Sequence, residues 1–336
     1  MRRREFLGTL AGAASAPFAA QAQQVAARPR IAWVHPSALL ADMREDGNDA
    51  VYRAFPNELH RLGYVEGTNL TIDRYSGEGR RERYAELART VVQSQPAVIF
   101  TSGTDMTRLV AAETRTIPIV GVLTDPVSTG LITNLAHPSG NVTGASVDAG
   151  IEIWSKRLAL LKEVVPSASR VGFLCSRSFW QGAGQSAEVS RAAAAKLGLT
   201  LVGCLLQEDV QEAEYRRVFA AMPQDRLDAL VVSEQAEHRV NTRLIVQLTS
   251  AARLPTIFSY REFVDLGGLM AYAVDLSDAF RQSAREVDQI LKGARPSDIP
   301  FYQQTRFEFV VNMKTSRALG VAMPAALLGS ADEVIE

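Results

Sequence analysis

From residue 30 to residue 312 the chain alternates short apolar runs with longer amphipathic stretches. The runs lie at 30–34, 70–75, 97–101, 117–123, 142–146, 170–176, 200–206, 229–233, 256–259, 269–274 and 307–312. Several are β-branched and bounded by Gly, Pro, Ser or Asp, the mark of buried strands. Between them apolar residues recur at helical spacing. In 48–62, Val51, Phe55, Leu59 and Leu62 fall on one face, and 81–94, 156–165, 185–197, 212–221, 241–253 and 278–292 repeat the pattern. Gly63, Gly198 and Gly293 each follow such a segment and suit a left-handed helix end. Pro96, Pro118 and Pro255 stand where strands begin, a position that needs no ladder N–H.

Strands buried on both faces and separated by helices predict an α/β fold of parallel sheets with helices on each side. The segments near 30–145 and 170–274 have the same element order. No residue-level repeat links them, and each is long enough for one doubly wound lobe. The later helix and strand must be shared between two lobes, so the chain crosses a multi-strand hinge more than once. The expected division is 28–146 plus 276–300 for one lobe and 147–275 plus 301–336 for the other. A cleft between lobes is where such a molecule holds a ligand.

The N-terminus changes the setting of this fold. Residues 1–22 carry Arg3-Arg4 ahead of a weakly apolar run and end on Ala20-Gln21-Ala22. That is a twin-arginine type export signal with an A-x-A cleavage site, removed before the mature protein works. No Cys follows the site, so the expectation is a free protein of the periplasm. The chain has a net charge of −1; three Arg and one Glu in the signal give it +2, leaving −3 for the remainder. A nucleic-acid binder would carry a basic stripe instead. Cys175 and Cys204 stand near strand ends, where they read as small buried hydrophobes, with a disulfide left open. No His/Cys cluster points to a metal and no motif points to a cofactor.

In open parallel sheets, ligands bind beyond the carboxyl ends of the strands, which directs attention to the residues after each run. Ser102, Gly103, Thr104 and Asp105 open a helix, and small hydroxyls with free N–H groups there suit a carboxylate, or an ordinary N-cap. Asp125 suits an ammonium or hydroxyl of a ligand, and equally a turn before Pro126. His35 follows the first strand. Ser176, Phe179 and Trp180 lie in what reads as a loop, where two adjacent aromatics would stack on a planar ligand or on the lobe itself. Glu234 and Tyr260 follow later strands, and Tyr272 and Asp275 stand where the chain re-crosses the hinge. Replacing Asp125 or Tyr260 by Ala is expected to weaken binding with little loss of melting temperature.

Gly182-Ala183-Gly184-Gln185-Ser186-Ala187 matches a dinucleotide fingerprint, with Glu208 and Asp209 downstream. Six residues separate it from its strand, so the tight turn that motif requires cannot form. No nucleophile elbow or P-loop is present, and His35, His60, His137 and His238 form no motif.

Eight segments together have a recognisable order: LGYVEGTNLTI (62–72), TSGT (101–104), TIPIV (116–120), DPVSTGLITNLAHPSGNVTG (125–144), KRLALLKEVVPSASRV (156–171), YREFVDLGGLMAYAVD (260–275), LKGARPSDIP (291–300) and FEFVVNMKTSRALG (307–320). In these the chain resembles the ABC transporter substrate-binding family of tryptophan/tyrosine-type uptake, a branch of the type I periplasmic binding fold. The resemblance implies a two-lobe clamshell, a small-molecule ligand, an ABC permease partner in the inner membrane, and no enzymatic activity. The expected form is a monomer, and the near-neutral charge leaves nucleic acid out of its partners. The family's ligand-facing segments fall on Ser102 to Asp105, Asp125, Tyr260 and Asp275. The chain departs from the pattern after Leu174, where similar proteins carry an Asn-Pro-type segment and this one has Ser176-Arg177-Ser178-Phe179-Trp180. That departure suits an aromatic acid or amino acid. A ligand-sensing protein serving a membrane receptor and an exported α/β enzyme are the competing functions.

Overall fold

The structure is a computed structural model and describes residues 28–147, 152–181, 185–207 and 211–336. The export signal, Gly182 to Gly184 and the Glu208-Asp209 pair lie outside the described residues.

The strands, in chain order, are β1 (Arg30–His35), β2 (Thr71–Ser76), β3 (Val98–Ser102), β4 (Ile119–Leu123), β5 (Val142–Ser146), β6 (Arg170–Ser176), β7 (Thr200–Leu206), β8 (Ala229–Val232), β9 (Thr256–Phe258), β10 (Met270–Val274), β11 (Tyr302–Gln303), β12 (Phe307–Asn312) and β13 (Glu333–Ile335). They form one sheet of order β11-β5-β4-β3-β1-β2 and another of order β13-β12-β10-β9-β8-β6-β7. This is the two-lobe, doubly wound arrangement of a type I periplasmic binding fold. All neighbours are parallel except β10 and β12, which run antiparallel through the pair Tyr272↔Phe309. The two short strands, β11 and β13, escape sequence reading because neither is long enough to show periodicity. The first of them pairs Tyr302 with Ala145, so the chain stays with the first sheet through Gln303 before it crosses.

The helix Leu276–Leu291 follows the second lobe's β10 in sequence yet packs against the helix Ala50–Arg61 and against β3, β4 and β5. Its Phe280 closes a cluster in the first lobe's core. Trp33 lies 5.4 Å from Phe100 between ring centroids, Phe55 stacks on Phe100 at 4.1 Å, and Phe280 meets Phe100 edge-on at 5.5 Å. Trp33, Phe55 and Phe100 are fully buried. Each contributes roughly 1.5–3 kcal/mol by leaving water, which fixes the returning helix to this lobe.

Gly144 shows how tightly β4 and β5 approach. Its φ is 148°, and a Cβ there would stand 2.0 Å from the carbonyl oxygen of Gly121, its register partner. No larger residue fits without parting the strands.

Cys175 and Cys204 are free and buried on neighbouring strands. The register pairs Leu174 with Cys204, so Cys175 is offset by one residue and alternation sends the two thiols to opposite faces of the sheet. Burial pushes both thiols well above the ordinary range. They behave as core side chains.

Candidate functional site: a cavity between the lobes

Both sheets end their parallel strands toward the same gap, which holds a cavity of about 710 Å³ lined from both lobes. Ten of the residues anticipated from sequence line it: His35, Ser102, Gly103, Thr104, Asp105, Asp125, Ser176, Phe179, Glu234 and Tyr260.

The first lobe's wall is built on β3 and the helix Thr104–Glu113. Gly103 caps that helix with φ 82° and ψ 140°, a conformation that L side chains avoid, and donates its N–H to the Val122 carbonyl at 2.8 Å. The Thr104 hydroxyl is committed: it donates to the Thr124 carbonyl at 2.9 Å and accepts the Thr124 N–H at 3.1 Å, tying the β3 and β4 loops together. Asp105 receives Arg81. Ser102 is 4 % exposed, and its hydroxyl has no hydrogen-bond partner. A buried unpaired hydroxyl beside a helix N-terminus suits the oxygen of an anionic ligand.

Asp125 serves the turn that sequence reading weighed against ligand contact. Its φ is 44°, Oδ1 accepts the Ser128 N–H at 3.0 Å, and Oδ2 accepts the Ser128 hydroxyl. His35 Nδ1 accepts the N–H groups of Ser37 at 3.0 Å and Ala38 at 2.8 Å, so the neutral ring carries its proton on Nε2. Burial, reinforced by the charge of Arg239, lowers the His35 pKa to about 3.

The second lobe's wall follows β6, β8 and β9. What reads as a loop after Leu174 is a short helix, Arg177–Gln181. The Ser176 hydroxyl starts it by accepting the Phe179 N–H at 3.2 Å, and Ser176 is held in turn by Gln235 Nε2 at 2.7 Å. Helical spacing separates the two aromatics. Phe179 lines the cavity and lies parallel to Phe173 at 5.9 Å. Trp180 turns the other way, where a Cβ on Gly203 would touch its ring at 2.8 Å and Arg191 stands 4.9 Å from its centroid. Trp180 is therefore a packing residue, and of the two aromatics only Phe179 lines the cavity.

Glu234 is buried against the fully buried Arg157, with Nη1 to Oε2 at 2.7 Å. Burial pushes the Glu234 carboxyl up and Arg157 opposes that shift. The Tyr260 hydroxyl donates to the Glu234 carbonyl, and the residue is 3 % exposed. Removing its ring would open the core, so the expected harmlessness of Tyr260→Ala toward stability does not hold. Tyr272 and Asp275 lie outside the cavity lining. Tyr272 stacks on Phe307 at 5.6 Å, and Asp275 caps the helix Leu276–Leu291 by accepting the Asp278 N–H at 3.0 Å.

Several residues that join the two lobes carried no sequence signal. Arg81 of the first lobe donates to the Ser178 hydroxyl of the second at 2.5 Å. Tyr84 donates to Glu237 at 3.2 Å, Gln211 donates to the Glu78 carbonyl at 2.7 Å, and Arg239 reaches Asp49 at 3.1 Å. Every one of these bonds crosses between lobes, so the cleft is closed. Arg239 also binds Glu262 at 2.8 Å and stands 5.0 Å from the centroid of Tyr52. In sequence these are arginines and acids of amphipathic segments, and only tertiary folding sets them face to face. Among the described residues no group of His, Cys, Asp and Glu could hold a metal, and no helix is long and apolar enough to cross a membrane.

This geometry has relatives. A tyrosine-binding protein of Clostridioides difficile is 24% identical over 274 residues, covering 81% of this chain and 76% of that one. A structure of a conserved domain protein from Vibrio cholerae matches with a TM-score of 0.79 at 23% identity, covering 91% of this chain and 99% of that one. The L-Trp complex of an ABC domain from Streptococcus pneumonia gives 0.77 at 23% identity, covering 92% and 100%. These likenesses between solved structures establish the fold. The model of the ABC transporter substrate binding protein family, whose members bind rather than transform their ligands, matches residues 38–335, and the chain belongs to that family.

Proposed function

We propose that the protein is the periplasmic solute-binding component of an ABC importer, and that it takes a small organic acid or amino-acid-like solute through its carboxylate. The observation that carries this reading is Ser102: a buried hydroxyl without a partner, at the start of a helix, on the wall of a closed cavity. Phe179 and Phe280 give the same cavity apolar faces for a hydrocarbon or aromatic body. The lobes divide where the chain passes from β5, β10 and β11 to the other sheet, and these three connections form the hinge. The ligand favours the closed state because its contacts come from both lobes. The closed form then docks on a permease of the inner membrane. The Arg3-Arg4 pattern ahead of an A-x-A site supports export to the periplasm, and a monomer is the proposed form.

Isothermal titration against a panel of aromatic and aliphatic acids and amino acids tests the reading, alongside native mass spectrometry of protein taken from the periplasm. Binding of a carboxylate compound that is weakened by Ser102→Ala is the expected result. A co-purifying ligand without a carboxylate would overturn it.

A further inference from the structure

Resting on the carboxylate reading, we infer that the ligand is an acid without a free ammonium group: an anion held by Arg108 and Arg177 in addition to Ser102. Every carboxylate of the described cavity wall is already engaged. Asp105 and Glu234 hold the arginines Arg81 and Arg157, Glu237 accepts the Tyr84 hydroxyl, and Asp125 closes its turn on Ser128. An incoming ammonium would have to share one of these groups.

The cationic side is different. Arg108 and Arg177 line the same cavity, one from each lobe; neither is in a salt bridge among the described residues, and of the two only Arg177 acts on a carboxylate, that of Glu214. Arg108 stands one turn after Thr104 on the helix that follows Ser102, and both line the cavity. Arg177 directly follows Ser176 at the opposite wall. Both are exposed, which makes them rim charges: they attract an anion into the cleft and close over it from two sides, and their effect is screened by salt. An anion meets unspent donors and cations around this cavity. A zwitterion would bring an ammonium to a wall whose carboxylates each already hold a donor.

Matched pairs differing only in the α-amino group provide the test: L-phenylalanine against 3-phenylpropanoate, and L-tryptophan against 3-(indol-3-yl)propanoate, titrated into the wild-type chain at two salt concentrations. The deamino acid of a pair is expected to bind at least about tenfold tighter, as for gain or loss of one charge-assisted contact. Raising salt should weaken it, and the double variant Arg108→Gln/Arg177→Gln should remove most of the preference and flatten the salt dependence. Equal or tighter binding of the amino acids overturns this inference and leaves the carboxylate reading standing. A preference unchanged in the double variant overturns the assignment to the two arginines. No binding by either member of both pairs overturns this inference, while the carboxylate reading is decided separately by the chemistry of the co-purifying ligand.

Discussion

The Tyr215 hydroxyl stands 2.8 Å from Nδ1 of His238, and on the far side of the same ring Nε2 stands 3.0 Å from the Ser233 hydroxyl on the cavity wall. Tyr215, His238 and Ser233 are all buried, so losing one member leaves its partner without that bond. Tyr215→Phe should cost about 1–3 kcal/mol of folding stability in urea denaturation, by orphaning one ring nitrogen. Ser233→Ala should cost a similar amount and also weaken ligand binding, because Ser233 alone of the three lines the cavity. Equal affinity of Ser233→Ala and wild type would remove Ser233 from the site.

Three buried groups contribute to the pH dependence of stability with opposite signs. His35 and His238 are lowered from 6.5 to about 3, chiefly by burial. The unfolded chain therefore binds more protons than the folded one between these values, and stability falls as pH drops through that window by about 1.4 kcal/mol per pH unit for each ring. Glu286 behaves oppositely: burial raises it from 4.5 to about 8, so its contribution is lost as pH rises across that range. The two rings outweigh the one carboxyl below pH 6.5 and only the carboxyl titrates above, which places the stability maximum from these groups near 6.5. In scanning calorimetry across pH, Glu286→Gln should flatten the alkaline side of the stability profile. An unchanged alkaline decline in that variant would show that Glu286 is ionised in the fold.

Arg157 and Glu234 form a buried ion pair. Arg157→Met should cost about 3–5 kcal/mol, because it leaves a carboxylate buried without its cation. Arg157→Met combined with Glu234→Gln should cost clearly less than the two single changes added together. Strict additivity in a double-mutant cycle would mean that the pair does not interact in solution.

Arg81→Ala removes the bond across the cleft to Ser178 and the partner of Asp105. The ligand-free variant should populate open lobes, seen as a larger radius of gyration by small-angle scattering. Its ligand affinity should fall about tenfold for each 1.4 kcal/mol by which closure is disfavoured. A scattering profile identical to wild type would show that Arg81 does not help hold the lobes together.

The period of the apolar positions determined the α/β class, the lobes and most strand positions. Runs such as 98–102 and 119–123 are buried on both faces and leave no alternative to a parallel sheet covered by helices. The residues after those runs formed the cavity wall because strand ends converge there whatever the loops do. Where sequence reading missed, the deciding contact was distant. Trp180 and Phe179 are neighbours in sequence, but a helix sends them apart, and Gly203 makes the space that Trp180 fills. Asp275 looked like a hinge ligand and is a helix cap, since both roles use the same residue type at the same place.

The sequence alone thus determined which elements form and where their ends point, because burial and chain geometry act over a few residues at a time. Tertiary structure decided which charges are spent and which are open. Arg81, Tyr84, Glu237 and Arg239 meet partners more than 20 positions away along the chain, some of them across the cleft. No local pattern encodes such a meeting, since the free energy of a buried charge depends on what stands opposite it once both lobes have folded and closed.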